Sequence, residues 1–244
     1  MGTSRLGAVP TTLPPASPSG VIEVLELLPR PTERRDIAPG VVLLPGWLTP
    51  DEQRHLVAAF RTWALPPAGL RHPRVPSGHL MSVQSVCLGW HWQPYAYSRT
   101  ADDTDGAPVK PLPPDVGRLG SRAVADTFGA AAGEAYAPDA VIANLYAPGA
   151  RLGLHQDAEE PSDAPVVTVS IGDTCEFRLA GVDRRSAPFV DLELRSGDLL
   201  VFGGPSRRVF HGVPTVYDNT GPSDLGLPPG RLSLTIRETG FEES

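Results

Sequence analysis

The sequence is short of cysteine and has no long apolar run. Its two cysteines, Cys87 and Cys175, are too few for a disulfide framework or a cysteine-rich zinc site, so we expect two free thiols. No apolar run approaches the ~18 residues that a membrane-spanning helix needs, which excludes a transmembrane protein. Residues 1–20 carry one charge, at Arg5, and lack the apolar core of a signal peptide. We therefore expect a cytoplasmic protein.

Positive charge is also scarce. Lys and Arg total 21 against 28 Asp and Glu, which gives a formal net charge of −7 at pH 7. Proteins that bind duplex DNA by neutralising phosphates are usually basic, although a local basic patch can lie on an acidic protein. Five residues are candidates for such a patch, the alternative being scattered solvated arginines: Arg71, Arg74, Arg184, Arg207 and Arg208.

Proline and glycine, in contrast, are abundant, with 28 and 25 residues. This favours short strands joined by turns over long helices. Residues 1–20, rich in Thr, Pro, Ser and Ala, are predicted to be a disordered tail, and residues 21–244 to form a single domain.

Two helices are predicted in the first half of the chain. The first follows Thr49, because this residue is a good N-cap, Pro50 suits the first helical position and Glu52 completes a capping box. It ends before Pro66. The second covers about residues 115–128.

Seven runs that are apolar or alternate in polarity follow residue 139: Ala140–Tyr146, Val166–Ile171, Cys175–Leu179, Phe189–Leu194, Leu199–Phe202, Val209–Val213 and Leu232–Ile236. Short strands separated by turn signals are typical of an antiparallel sandwich or barrel. Because the helices come early and the strands late, we predict an α+β, mainly β fold whose helices back one sheet.

Two segments are too long and too rich in helix and strand breakers to be simple connections. We expect a functional role for His91–Pro114, because aromatic residues cluster at its start. For Tyr217–Gly230 we expect disorder.

One histidine of the six has an acidic residue two positions later, in His155-Gln156-Asp157. Alone, such a pair is more often ordinary surface sequence than a metal site. In an extended strand, however, residues i and i+2 point to the same side, so the imidazole and the carboxylate would converge. A second imidazole would complete a 2-His-1-carboxylate triad, which holds Fe(II) and leaves positions open. His211, which follows a β-like run, is the natural candidate.

Two arginines, Arg231 and Arg237, lie six positions apart in the last predicted strand. Even spacing places both guanidinium groups on one face, while Leu232, Leu234 and Ile236 face the core. The face is either solvated or a clamp for a dicarboxylate, since Arg binds carboxylates bidentately.

The segment Asn144–Asp157 (NLYAPGARLGLHQD) resembles the signature of the AlkB family, Fe(II)- and 2-oxoglutarate-dependent dioxygenases that remove alkyl groups from nucleic-acid bases. Further matches follow in order and cover about residues 40–240: Val167–Gly172, Ser196–Asp198, Phe202–Gly204, His211-Gly212 and Arg231–Arg237, with Leu88–Trp90 upstream. The resemblance implies a double-stranded β-helix, a jelly-roll-like core at about 140–240, backed by N-terminal helices, with a nucleotide-recognition region at about 70–114.

The resemblance also implies residue roles. The iron ligands would be His155, Asp157 and His211. Five residues would bind 2-oxoglutarate: Asn144, Tyr146, Arg231, Ser233 and Arg237. Ser233 stands where the best-known bacterial members carry Asn, so we expect a modest change at this contact.

Substrate contacts are implied in the same way. The extruded base would lie between Trp90 and the His155 ring, with Tyr95 near the nucleotide backbone and Arg185 lining the pocket. Glu159 stands where the best-known bacterial members carry Asp, one methylene shorter, so base preference is open.

The activity implied is oxidative demethylation of bases such as N1-methyladenine or N3-methylcytosine, with Fe(II), 2-oxoglutarate and O₂, releasing formaldehyde, succinate and CO₂ in DNA alkylation repair. We expect a monomer that acts on single-stranded DNA or RNA. Two alternatives stay open. The same chemistry could act on a protein, lipid or small molecule, which the acidic pI and the Asp102–Asp105 patch favour, or the chain could be a non-enzymatic jelly-roll binding module.

Overall fold

The computed structural model describes Met1, residues 33–186 and residues 188–242. The predicted tail, residues 1–20, lies outside the described residues except for Met1, as does the first part of the predicted domain. From residue 33 onward, the described chain belongs to one compact unit, Thr32–Ser244. Within these residues, no helix combines the length and apolar character that a bilayer crossing requires.

The first helix, α1 (Pro50–Trp63), begins at the predicted capping box. The Thr49 hydroxyl accepts a hydrogen bond from the Glu52 backbone N–H at 3.3 Å, and the Glu52 carboxylate accepts one from the Thr49 N–H at 2.8 Å. The apolar face of α1 buries Leu56, Phe60 and Trp63. The two capping hydrogen bonds satisfy two backbone N–H groups that a helix start leaves free, so the local sequence determines where α1 begins.

A second helix, α2 (Pro114–Phe128), agrees with the predicted position, and a short third helix, α3 (Ala130–Ala135), follows a break at Gly129. Gly129 has φ +98°, which favours glycine and ends α2. Buried residues of α1 and α2 share one hydrophobic cluster with strand residues such as Val169, Val201 and Leu234. The helices therefore back one sheet, as predicted.

Thirteen strands are found in the described chain: β1 (Arg35–Ala38), β2 (Val41–Leu44), β3 (Gln84–Leu88), β4 (His91–Gln93), β5 (Ala96–Ser98), β6 (Ala140–Tyr146), β7 (Leu152–His155), β8 (Val166–Gly172), β9 (Cys175–Leu179), β10 (Val190–Leu194), β11 (Leu199–Phe202), β12 (His211–Val216) and β13 (Arg231–Arg237). All seven predicted runs correspond to strands. The prediction missed the first five strands and β7.

The strands form a large sheet, a small sheet and a hairpin. The large sheet has the order β1-β2-β11-β8-β13-β6-β3, the small sheet has the order β10-β9-β12-β7, and β4 pairs with β5. A second hydrophobic cluster, which includes Leu43, Phe177, Leu194 and Phe202, fills the space between the two sheets. The predicted double-stranded β-helix backed by helices is confirmed.

Strand β13 divides its side chains between the two layers. Leu232, Leu234 and Ile236 belong to the cluster under the helices, so the alternating residues Arg231 and Arg237 face the interior between the sheets. Both arginines are buried, at 0% and 5% relative exposure. Of the two alternatives for this face, the solvated surface is excluded.

The expectation of disorder for Tyr217–Gly230 is wrong. Asp173, buried at the turn after β8, accepts backbone hydrogen bonds from Asn219, Thr220, Gly221 and Gly230 at 2.8–3.3 Å. A carboxylate that receives so many N–H groups orders the loop without a hydrophobic core of its own. The same contact fixes Gly230, so it also sets where β13 and Arg231 begin.

Candidate active site

The two candidate ligand histidines lie opposite each other on neighbouring strands of the small sheet. His155 ends β7, His211 begins β12, and the two are directly paired in the antiparallel register. Asp157 lies two residues beyond β7, and each imidazole Nε2 is 3.6 Å from one of its carboxylate oxygens. Ligand atoms from all three residues lie within 4.8 Å of one another. The structure thus brings the predicted triad together.

Backbone carbonyls set the tautomer of both rings. Nδ1 of His155 lies 3.0 Å from the Gly153 carbonyl oxygen, and Nδ1 of His211 lies 3.0 Å from that of Val209. A carbonyl oxygen only accepts hydrogen bonds, so Nδ1 carries the proton in each ring. The lone pair of each Nε2 is therefore free to bind a metal ion.

The protonation states also suit metal binding. Burial alone would raise the pKa of Asp157, but Arg237 above all, with both histidines and Arg207, holds it well below its usual range. Burial, reinforced by His155, lowers the pKa of His211 to about 4. Near pH 7 the aspartate is therefore anionic and His211 neutral, which are the forms that bind metal ions.

Three buried atoms at this site have no hydrogen-bond partner among the described residues: Asp157 Oδ2, Arg231 Nη1 and Arg237 Nε. Buried polar atoms without partners are rare, so such a cluster indicates groups that a ligand satisfies. One anionic oxygen and two guanidinium N–H groups fit a cation together with a dianionic chelator. The donor set of two imidazoles and one carboxylate is typical of Fe(II) that keeps open positions.

The predicted 2-oxoglutarate residues lie on two adjacent strands of the large sheet. Tyr146 of β6 is paired directly with Arg231 of β13, and Asn144 with Ser233. Because i and i+2 share a face, all four side chains lie on the same side of the sheet. Ser233 also contacts Arg231, whose guanidinium Nη2 lies 3.3 Å from Ser233 Oγ.

Arg231 is a buried cation. Its Nε donates to the Ser170 hydroxyl at 2.9 Å, and its guanidinium carbon lies 5.2 Å from the centre of the Tyr146 ring. No carboxylate of the described chain forms an ion pair with it. Burial raises the pKa of Tyr146 to about 12, so its hydroxyl stays protonated and able to donate. The pair fits one carboxylate of a bound anion.

A cavity of ≈ 530 Å³ opens next to the triad. His155, Asp157, Asn144 and Arg237 are among the residues that line it. Residues predicted to bind substrate line it as well: Tyr95, Glu159 and Arg185. Tyr95 is 75% exposed and has φ +71° at the tip of the β4–β5 hairpin.

Trp90 requires a correction, because it does not line this cavity. Its indole N–H donates to Asp139 at 3.0 Å, its ring packs on Phe241 at 5.0 Å, and the Arg99 guanidinium lies 3.5 Å from the ring centre. Trp92, two residues later in β4, lines the cavity instead. The aromatic cluster at the start of His91–Pro114 was the available signal, and it contains Trp92.

Two of the five arginines in the predicted basic patch are not at the surface. Arg71 and Arg207 are buried, at 8% and 2% exposure, and therefore cannot contact a nucleic acid at the surface. The Arg71 Nε donates to Asp103 at 2.9 Å, and His91 Nε2 lies 2.6 Å from the same carboxylate oxygen. Burial opposes ionisation of Asp103, but His91 and Arg71 outweigh it and lower its pKa to about 2. This group instead holds the recognition region together.

Glu160 is a site residue that the sequence analysis missed. It is 1% exposed, and its carboxylate contacts Arg237, Arg207 and Tyr97. It follows Glu159 directly, and nothing in the local pattern distinguishes the buried acid from the one that lines the cavity.

A jelly roll that places two imidazoles of one sheet beside the carboxylate that follows it, facing two buried arginines of the other sheet, defines an oxygenase of the non-haem iron type. The sequence model of the 2OG-Fe(II) oxygenase superfamily matches residues 40–237. That superfamily uses Fe(II), 2-oxoglutarate and O₂, the set that the site fits.

Comparison with individual proteins identifies the family within this superfamily. The chain is 36% identical to the alpha-ketoglutarate-dependent dioxygenase AlkB homolog of Caulobacter vibrioides, over 82% of this chain and 88% of the relative. It is 38% identical to AlkB of Escherichia coli K12, over 69% and 76%. The solved structure of OsALKBH1 superposes with a TM-score of 0.76 at 32% identity, covering 84% of this chain and 100% of that one.

A longer plant relative, the DNA N(6)-methyladenine demethylase ALKBH1D of Arabidopsis thaliana, is 36% identical over 82% of this chain. The chain spans about half the length of that relative, 50%. On the family match and the coverage of the bacterial relatives, the chain belongs to the AlkB family of the 2OG-Fe(II) oxygenase superfamily.

Proposed function

We propose that this protein is an Fe(II)/2-oxoglutarate-dependent dioxygenase that oxidatively demethylates alkylated nucleic-acid bases. The observation that carries the proposal is one cavity lined both by His155 and Asp157 of the triad and by the aromatic residues Trp92 and Tyr95 of the β4–β5 hairpin. The relatives named as demethylases of DNA, and one named as a tRNA demethylase in Schizosaccharomyces pombe, support a nucleic-acid substrate.

In the proposed mechanism, His155, Asp157 and His211 hold the iron. Arg231 and Tyr146 bind the far carboxylate of 2-oxoglutarate, and Ser233 keeps the Arg231 guanidinium in place. When bound, iron with 2-oxoglutarate and O₂ supplies the oxidation of the N-methyl carbon, with succinate, CO₂ and formaldehyde as products.

The other carboxylate of 2-oxoglutarate belongs near Asn144 and Arg237. The Asn144 side chain is oriented for this by the Ser85 hydroxyl, which lies 2.6 Å from its Oδ1, and the unpaired Arg237 Nε offers a donor. Because Arg231 and Arg237 are both buried, their charge interactions with a bound carboxylate are screened less than they would be in water.

The substrate base is proposed to stack between Trp92 and His155. An aromatic platform tolerates every base, because each has a π-face. We propose that Glu159 accepts a hydrogen bond from an exocyclic amino group and that Tyr95 contacts the nucleotide backbone. Both residues line the cavity, as does Arg185.

Single-stranded nucleic acid is the proposed substrate form. Extruding a base is least costly there, and the exposed cations that line the cavity, Arg151 and Arg185, are few. A monomeric state and a cytoplasmic location stay predictions from the sequence.

The test incubates the protein with Fe(II), 2-oxoglutarate, ascorbate and a single-stranded DNA that contains one N1-methyladenine. Oligonucleotide mass and succinate are measured, with an RNA of the same sequence in parallel. His155→Ala is the inactive variant. His55→Ala is the matched control, because His55 is exposed on α1, paired with Asp115 at 3.1 Å and outside the cavity.

Loss of one methyl group in the wild type and in His55→Ala, dependent on 2-oxoglutarate and absent in His155→Ala, supports the proposal. Succinate formation with the methyl group retained on both oligonucleotides contradicts the nucleic-acid substrate and favours a protein, lipid or small molecule. If neither product forms although 2-oxoglutarate binds, the assignment of the substrate cavity is wrong.

A further inference from the structure

Glu160 joins three parts of the fold that are distant in sequence. One carboxylate oxygen accepts from the Tyr97 hydroxyl of β5 and from Arg237 Nη1 at the end of β13, both at 2.5 Å. The other lies 3.3 Å from Arg207 Nη2. A carboxylate with a side-chain exposure of 0% is stable only with such partners. Its position is therefore fixed by all three.

Arg237 extends this connection to the metal triad. Its Nη2 lies 2.7 Å from Asp157 Oδ1, while its Nη1 donates to Glu160 and, at 2.7 Å, to the Tyr97 hydroxyl. The planar guanidinium fixes these donors relative to one another. A displacement of the Tyr97 or Glu160 end therefore reorients the Nε and Nη2 end, which faces the metal and cosubstrate side.

Tyr97 extends the connection to the substrate cavity. In the β4–β5 hairpin it is paired directly with Trp92, and Trp92 lines the cavity. The hydroxyl of Tyr97 uses both its donor and its acceptor in this network. A base that contacts Trp92 therefore acts on a strand pair whose other member holds Glu160 and Arg237.

We propose that Tyr97, Glu160 and Arg237 couple occupancy of the base cavity to binding of 2-oxoglutarate, with Tyr97 and Glu160 as positioning residues. This inference rests on the proposed function and adds a regulation of the same site. A bound base fixes the hairpin, the hairpin fixes Glu160, and Glu160 fixes the guanidinium that receives the cosubstrate carboxylate. By linkage, the cosubstrate strengthens base binding by the same factor.

The test measures this coupling without turnover. With Mn(II) in place of iron and without oxygen, titration calorimetry gives the Kd of 2-oxoglutarate with and without the N1-methyladenine oligonucleotide. In the wild type we expect the oligonucleotide to lower this Kd about 5-fold or more. In Tyr97→Phe, which removes one hydroxyl and keeps the ring packed on Phe241, we expect less than about a 2-fold effect.

The matched control is Tyr217→Phe. Tyr217 is 39% exposed, and its hydroxyl lies 3.5 Å from Glu176 of β9, outside the cavity-lining residues. It should keep the wild-type coupling factor. Glu160→Gln, which keeps the size of the side chain, provides a second variant and should also lose the coupling.

If Tyr97 and Glu160 had a purely structural role, their substitution would weaken the binding of both 2-oxoglutarate and the oligonucleotide. The ratio of the Kd of 2-oxoglutarate without the oligonucleotide to the Kd with it would then stay unchanged, so this ratio decides between the two roles. A wild-type factor of 1, or the same factor in the wild type, Tyr97→Phe and Glu160→Gln, overturns the inference. Wild-type demethylation is measured first. Failure there removes the proposed function, whereas demethylation without coupling removes only this inference.

Discussion

We predict that the buried guanidinium of Arg231 makes the stability of the protein depend on its cosubstrate. Arg231 is fully buried, its Nη1 has no hydrogen-bond partner and it forms no ion pair within the described chain. Arg231→Met removes the charge and keeps an unbranched, adaptable side chain. Without ligand, relief from an unpaired buried charge opposes the loss of hydrogen bonds to Ser170 and Ser233, about 1 kcal/mol each. We expect the unliganded variant to unfold at or slightly above the wild-type temperature.

The stabilisation by 2-oxoglutarate should differ between the wild type and Arg231→Met much more than the stability of the two unliganded proteins does. At a ligand concentration 100 times its Kd, binding stabilises the wild type by about 2.7 kcal/mol, which is roughly 5–10 °C for a domain of this size. The variant lacks two charge-assisted hydrogen bonds of about 1.5–3 kcal/mol each, so its affinity falls at least about 100-fold. At the same concentration its gain is about 0.4 kcal/mol, roughly 1–2 °C.

Thermal unfolding of the Mn(II)-loaded protein, with and without 2-oxoglutarate, measures both quantities. Arg195→Met is the control, because Arg195 is exposed and paired with Glu193 at 2.8 Å on the surface. It should retain the full ligand shift. An Arg231→Met protein that keeps the wild-type shift, or that unfolds far below the wild type without ligand, would refute the reasoning.

Three further predictions concern the substrate side, the recognition region and the long loop. Trp92→Ala should raise KM for a methylated oligonucleotide about 10–100-fold at unchanged 2-oxoglutarate affinity, since stacking contributes about 1–3 kcal/mol per base. Trp90→Ala should instead lower Tm in thermal unfolding, because Trp90 packs on Phe241 and donates to Asp139. Ionised Asp103, with a pKa of about 2 against 3.8 unfolded, should contribute about 2 kcal/mol above pH 4 and lose it as the pH falls towards 2; urea unfolding of Asp103→Asn should show a flatter pH profile there. Asp173→Ala leaves four backbone N–H groups unpaired, so limited proteolysis should cleave the loop that Asp173 anchors.

The architecture could be predicted where the pattern of side chains is long enough to be unambiguous. Seven strands in the second half have alternating or apolar runs, and α1 has its capping box. Strand β7 was missed because it has four residues, including Gly153, and lies at a sheet edge. The β4–β5 hairpin has strands of three residues joined across Pro94. Such elements are defined by their partners and not by their own periodicity.

The residues of the site likewise divide into those that the local sequence predicts and those that it does not. His155, Asp157 and the strand arginines could be predicted, because even spacing in an extended strand places their side chains on one face and the surrounding motifs resemble those of a known family. Trp90 and Trp92 differ only in which partner each meets, and Asp139 lies 49 residues from the tryptophan that it binds. The burial of Glu160 depends likewise on Tyr97 and Arg237, which come from other strands. Contacts over such separations carry no local signal.

The direct pairing of His155 with His211 has a mechanical consequence. Strand β7 is an edge strand of the small sheet and is four residues long. Among the described residues it pairs with β12 alone, with an irregularity in the ladder before Val213. A metal ion bound by both imidazoles would link β7 to β12 and so stabilise this edge of the small sheet. Since Leu152 and Leu154 of the same strand line the cavity beside the triad, a metal ion bound there would also hold one wall of that cavity in place. We therefore expect removal of the metal to loosen this wall of the cavity as well as to abolish catalysis.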